Sequence, residues 1–193
     1  MTAPAANPVF ASQVAFRALM ECFARPGEIR TLGGGNAPVP MTAASAALIH
    51  SLADYETPIW LDSSFASAPA VGDWIRFQTG APLTPEPREA AFALIANPQS
   101  MPDFEQFAQG TEEYPDRSTT LIIQVERFSG RALTVEGPGI KAARSVAAEP
   151  LPGDFVERMA ANREMFPRGI DLVLVAGDQV VALPRSIRVS SGA

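Results

Sequence analysis

The chain has almost no lysine, histidine or cysteine: Lys141, His50 and Cys22 stand alone among 193 residues. One cysteine and one histidine exclude a Cys/His zinc site within one chain, an internal disulfide and a cysteine-ligated iron–sulfur cluster. Any Schiff-base lysine must be Lys141, and any thiol–imidazole pair must be Cys22 with His50. Positive charge is short as well. The 15 Lys and Arg against 21 Asp and Glu leave a formal charge of −6, which argues against nonspecific binding to nucleic acid or an anionic membrane. No apolar run approaches the ~20 residues a spanning helix needs. The start, MTAPAANPVFASQ, lacks the basic region and apolar core of a signal peptide, so cytoplasmic residence is the expectation.

What is present suits one globular domain over residues 1–193, with an ordered core of about 10–189, since 47% of the residues are hydrophobic and 19% charged. After a Pro-containing arm, Ser12 is placed to cap a helix from Gln13 to about Ala24, with Phe16, Leu19, Met20 and Phe23 on its buried face. Arg25-Pro26-Gly27 ends it. Ile29 to Leu32 reads as a short strand before the loop GGGNAPVP, and Thr42 caps a second helix through Leu52. TPIWLD and AAFALIAN read as strands, and AVGDWIRF as a helix.

The second half alternates more clearly. TTLIIQVER has the pattern of a half-covered strand, with Ser129-Gly130 placed to close a hairpin onto ALTVEG. A helix over Asp154 to Met165 puts Phe155, Met159 and Phe166 in register. Ile170 to Ala176 is apolar on both alternating sets, as in a strand covered on both faces, and Gly177-Asp178 turns it into Val180 to Leu183. The sum is an α/β three-layer sandwich: a mixed sheet with helices on both sides.

Three constellations can carry chemistry. Arg25, Arg117, Arg168 and Arg185 each lie beside or one residue from a proline, in ARPG, YPDR, FPRG and LPRS. A guanidinium fork matches phosphate or phosphonate oxygens, and proline fixes the backbone that aims it. Loop ends with solvated or locally paired arginines give the same pattern, as does an interface with another protein, the reading favoured for Arg168 and Arg185 because they flank strands at the end of the sheet. Gly137 and Gly139 in GPGI, directly after a strand, suit either an anion nest of backbone N–H groups or a plain tight turn. The stretch GTEEYPDRS sets Glu112, Glu113, Tyr114, Asp116 and Arg117 close together, suited to acid–base work if a carboxylate is desolvated, or to local pairing of Asp116 with Arg117. Cys22 reads as a buried thiol, His50 as a packed or hydrogen-bonded histidine, and Lys141 as exposed.

Six stretches in order, FxxQxAFRxLMECFARPG, TPIWLD, WIRFQTGAPL, GTEEYPDRSTTLIIQV, LTVEGPGI and NREMFPRGIDLVLVAGDQVVALPR, resemble the H subunit family of the bacterial carbon–phosphorus lyase system. The likeness runs from about Phe10 to Val189 and is weakest over Gly33 to Pro40 and Leu83 to Ala108. It implies a role in phosphonate catabolism: with the G, I and L subunits, attachment of a phosphonate to the ribose of ATP with release of adenine. The product is a ribose 1-alkylphosphonate 5-triphosphate, cleaved later by the J subunit. It further implies a fold similar to the large domain of pyridoxal-phosphate-dependent transferases without the cofactor site, a homodimer, and a core complex with the G, I and J subunits. Neither a cofactor nor a metal is expected. The other readings are a free-standing phosphonate- or nucleotide-binding protein using Arg117 and GPGI, and a pyridoxal phosphate enzyme using Lys141.

Overall fold

The computed structural model describes residues 8–33 and 36–192. The N-terminal arm and the pair Gly34-Gly35 of the expected flexible loop lie outside them. Its larger sheet has the order β1-β8-β7-β4-β3-β2, where the strands are β1 Arg30–Thr31, β2 Ile59–Leu61, β3 Phe92–Ile95, β4 Thr120–Gln124, β7 Asp171–Ala176 and β8 Gln179–Leu183. β2, β3, β4 and β7 run parallel, while β8 and β1 are antiparallel additions at one edge. A second, antiparallel sheet has the order β6-β5-β9, from β5 Arg127–Glu136, β6 Arg144–Glu149 and β9 Arg188–Ser191.

Alternation along the central strands builds two cores. Leu94, Ile122, Val173, Val175, Val180 and Ala182 face one way, onto α1 (Pro8–Ala24), α2 (Ala43–Leu52), α3 (Ser63–Ala66) and α4 (Pro69–Thr79). Ile95, Leu121, Ile123, Leu172, Leu174 and Leu183 face the other way, onto α5 (Phe155–Glu164) and the small sheet. Each Val, Leu or Ile side chain among them, fully buried, contributes about 1.5–3 kcal/mol. The α/β class and mixed sheet match the expectation. The layering differs in detail, because the second face is shared between one helix and a sheet. The β2–β3 connection packs on the helical face and lays Leu83 along the outer edge of β2 before returning to β3, while the β3–β4 connection packs on the opposite face. No helix among the described residues is long and apolar enough to cross a membrane.

Several local expectations are corrected. α1 begins at Pro8, not Gln13; proline suits a first turn, whose N–H groups have no helical partner. Ser12 is therefore inside the helix and caps nothing. The stripe α1 buries is Ala15, Leu19 and Cys22, about a quarter of a turn from the one expected, so Phe16 and Met20 stand 47% and 41% exposed. β4 is covered on both faces rather than one, since Ile122 packs into the core under the helices while Leu121 and Ile123 pack into the core on the other side of the sheet. Ser129-Gly130 closes no hairpin. β5 runs straight through it with a bulge, because Gly130 at φ 99° leaves room for the Glu149 carboxylate on β6. Phe166, expected in register with Met159, is 58% exposed beyond the end of α5.

Candidate functional site

The carboxyl ends of parallel strands are where open α/β sheets usually hold ligands. Here that rim is filled by the chain's own polar groups. Asp62, at the end of β2, is buried; its Oδ1 accepts from the Phe65 N–H (2.9 Å), and its Oδ2 from the N–H groups of Ala96 (2.8 Å) and Asn97 (3.0 Å). Gln124, closing β4, accepts at Oε1 from the Thr42 N–H (2.7 Å) and the Ser45 hydroxyl (3.0 Å), and its Nε2 donates to the Pro40 carbonyl (3.0 Å). A cleft of about 430 Å³ opens nearby between β5, β6 and the start of α5. The charges on its wall are already engaged: Arg127 pairs with Glu149 and Glu126, and Arg131 donates to the Ser191 Oγ (3.0 Å).

The residues singled out in the sequence gather at the opposite rim, around the segment Pro184 to Ile187 that follows β8. A two-residue turn at Gly177-Asp178 sets the β7–β8 register, pairing Leu172 with Leu183. That register carries Asp171 to the place where the chain turns through Pro184-Arg185. Arg185 then grips Asp171 with Nε on Oδ1 (3.2 Å) and Nη2 on Oδ2 (2.5 Å). Its Nη1 donates to the carbonyls of Pro115 (2.7 Å) and Pro167 (3.4 Å), and its Nη2 also to the Ser118 Oγ (2.5 Å). Every N–H of this guanidinium is directed at an oxygen of the chain itself, and the side chain is 12% exposed. No donor is left for a bound anion. Arg185 holds the YPDR, FPRG and LPRS stretches together.

Two further contacts fix the FPRG turn. Asn162, buried in α5, exchanges hydrogen bonds with the backbone of Ile170 (2.9 and 2.8 Å), and the Gly169 N–H donates to the Gln109 carbonyl (2.9 Å). Arg168 is exposed beside this turn. Arg117, also exposed, lies over the ring of Tyr114 at 4.3 Å, a cation–π contact. Glu112, Glu113 and Asp116 are all exposed, so acid–base chemistry finds no desolvated carboxylate in this loop.

Arg25 and the GPGI turn meet each other on the same rim. Arg144 of β6 donates to the carbonyls of Arg25 (3.3 Å) and Pro26 (2.7 Å) and to Glu28 (3.0 Å), leaving the Arg25 side chain exposed. Gly139, at φ 80°, lets the turn close onto the end of α1: a β-carbon there would stand 2.3 Å from the Ala24 carbonyl oxygen. The Ile140 N–H is consumed by the Gly137 carbonyl (3.1 Å). The geometry is that of a close-packed turn. Lys141 follows it, exposed.

Asp171 and Asn162 went unremarked in the sequence. An acid heading the otherwise apolar run DLVLVA is the available signal, since a carboxylate entering a covered strand needs a partner, and counting back from Gly177-Asp178 points to Pro184-Arg185. His50 also has a partner: its Nδ1 lies 2.9 Å from the Ser12 Oγ. The pair borders a groove of about 620 Å³ among α1, α2 and α4. Cys22 is fully buried, and the loss of hydration pushes its thiol up to about 11.

A family model described as bacterial phosphonate metabolism protein (PhnH) matches residues 4–190. A relative from Rhizobium meliloti (strain 1021), named alpha-D-ribose 1-methylphosphonate 5-triphosphate synthase subunit PhnH, is 47% identical over 185 residues, covering 95% of this chain and 92% of the relative. A second, the putative C-P lyase subunit protein HtxG of Stutzerimonas stutzeri, is 29% identical over 185 residues, covering 92% and 85%.

Proposed function

The chain belongs to the bacterial phosphonate metabolism protein (PhnH) family, and on that premise we propose that it is a subunit of the assembly that makes alpha-D-ribose 1-methylphosphonate 5-triphosphate in phosphonate catabolism. The observation that carries this reading is the 47% identity to a subunit of that synthase across nearly the whole of both chains. On this reading the chain assists transfer of a phosphonate onto the ribose of ATP with adenine release, as a cytoplasmic homodimer joined to the G, I and J subunits. Its fold is then a relative of the large domain of pyridoxal-phosphate-dependent transferases. The flank of α1 carrying the exposed Phe16 and Met20 meets the second copy. The rim carrying Arg117 and Arg168 meets another subunit, with Arg185 as the residue that holds their loops. This assignment follows from exposure: Arg117 and Arg168 point outward on braced turns, while the donors of Arg185 are engaged internally.

Co-expression of the tagged chain with the G, I and J partners, with mass determination of the eluted species, tests the reading. A complex retaining all partners is expected. Arg117→Ala and Arg168→Ala should weaken assembly before they slow adenine release in the complex that still forms. Elution of the chain by itself would overturn the subunit reading. Normal assembly with lost adenine release would move these arginines from the interface to the substrate.

A further inference from the structure

The groove among α1, α2 and α4 differs from the cleft near the carboxyl rim in one chemical respect: among the described residues, no Asp, Glu, Lys or Arg lines it. Its volume of about 620 Å³ falls within the ~300–1,000 Å³ usual for small-molecule sites. Aromatic surface comes from Phe10 and Trp74, and hydrogen-bonding capacity from Asn36, Gln78 and the Ser12–His50 pair. A wall without charge offers nothing to a phosphonate or triphosphate. Indole and phenyl faces suit a flat ring, and a carboxamide presents a donor and an acceptor side by side, the pattern that matches the N6 and N7 edge of adenine. Ser12 ties the imidazole through Nδ1 and so sets the ring's orientation, leaving Nε2 as its second hydrogen-bonding atom.

We propose that this groove binds an uncharged heteroaromatic ring, specifically a purine base, stacked on Trp74 and read by Asn36, Gln78 and His50. The proposal stands on the groove alone, independent of the assembly role.

The test is saturation-transfer NMR on the full chain with adenine, using methylphosphonate as the control ligand. Transfer to the adenine C2 and C8 protons is expected, with none to methylphosphonate. Trp74→Ala should weaken binding about tenfold, the scale of one lost base–aromatic stack. Ala47→Leu, which fills the groove from α2, should abolish it. Gln78 is exposed, so Gln78→Ala keeps the test valid if Trp74→Ala fails to fold, and it should also weaken binding. No transfer at millimolar adenine would overturn the proposal. Transfer unchanged in all three variants would place the ligand elsewhere and overturn it equally. So would a groove that ignores adenine but is covered when partner subunits are added, since that would make it a protein-docking surface.

Discussion

Arg185 and Asp171 form a two-pronged ion pair across the open end of the β7–β8 hairpin, and the Arg185 main-chain N–H donates to the same carboxylate at 2.8 Å. The carboxylate side chain is 22% exposed and the guanidinium 12%, so neither is freely hydrated. Removing one partner leaves the other with an unmet desolvation cost. Arg185→Ala should cost about 2–4 kcal/mol in urea unfolding, through loss of the pair and of the loop contacts. Arg185→Lys should recover little of it, because one ammonium cannot reach Asp171, Pro115 and Ser118 together. A loss below about 0.5 kcal/mol, the level of an ordinary surface change, would show that the clamp is dispensable.

Glycine substitution separates conformational cost from packing cost. Gly177 sits at φ 60° with open space around its α-carbon, whereas Gly139 sits at φ 80° with the Ala24 carbonyl oxygen 2.3 Å from a β-carbon position. Gly177→Ala should cost about 1–2 kcal/mol from the left-handed backbone alone. Gly139→Ala should cost clearly more and shift amide resonances at the end of α1. Equal costs in thermal melts would contradict the close approach.

The Cys22 thiol gives a sign-definite pH effect. Its folded value is about 11 against 9.0 for a free thiol, chiefly through burial. Below pH 9 both states hold the proton and the full stability is present. Between pH 9 and 11 the unfolded chain releases a proton that the folded chain keeps, so stability falls as pH rises, by about 2–3 kcal/mol over the window. Cys22→Ala should remove that slope from a series of urea midpoints. A slope that survives in the variant would assign the effect to other groups.

Phe16 and Met20 are exposed on α1, so replacing both with serine should leave the stability of the monomer, compared at a protein concentration where the parent is also monomeric, within about 0.5 kcal/mol. If this flank meets a second copy, sedimentation should show the dimer lost in the double variant. A folded dimer in the variant would move the contact elsewhere.

Legibility followed how local each interaction is. The β7–β8 hairpin was readable because two apolar runs flank a Gly-Asp turn, and even its ionic clasp lies within the count of residues from that turn. β6 and β9 were not readable: RSVAAE and RVSS each hold a single large apolar residue, and only the partner β5 makes strands of them. In α1 apolar residues lie on more than one side, so periodicity could not choose which to bury; small residues such as Ala15 decide it by allowing close approach. The candidate arginines were found by their prolines, but their roles depend on where acceptors lie. The three contacts outside the hairpin that engage Arg185 come from Pro115, Ser118 and Pro167, remote in sequence.

Gln124 ends the central strand β4 and also holds the first turn of α2 through Thr42 and Ser45. One carboxamide thus makes the start of that helix open and close with the middle of the sheet. Exchange of the Thr42 amide with solvent deuterium then requires a large cooperative opening rather than end fraying. The first turn of α2 is thereby anchored to the middle of the sheet rather than left as a free helix end.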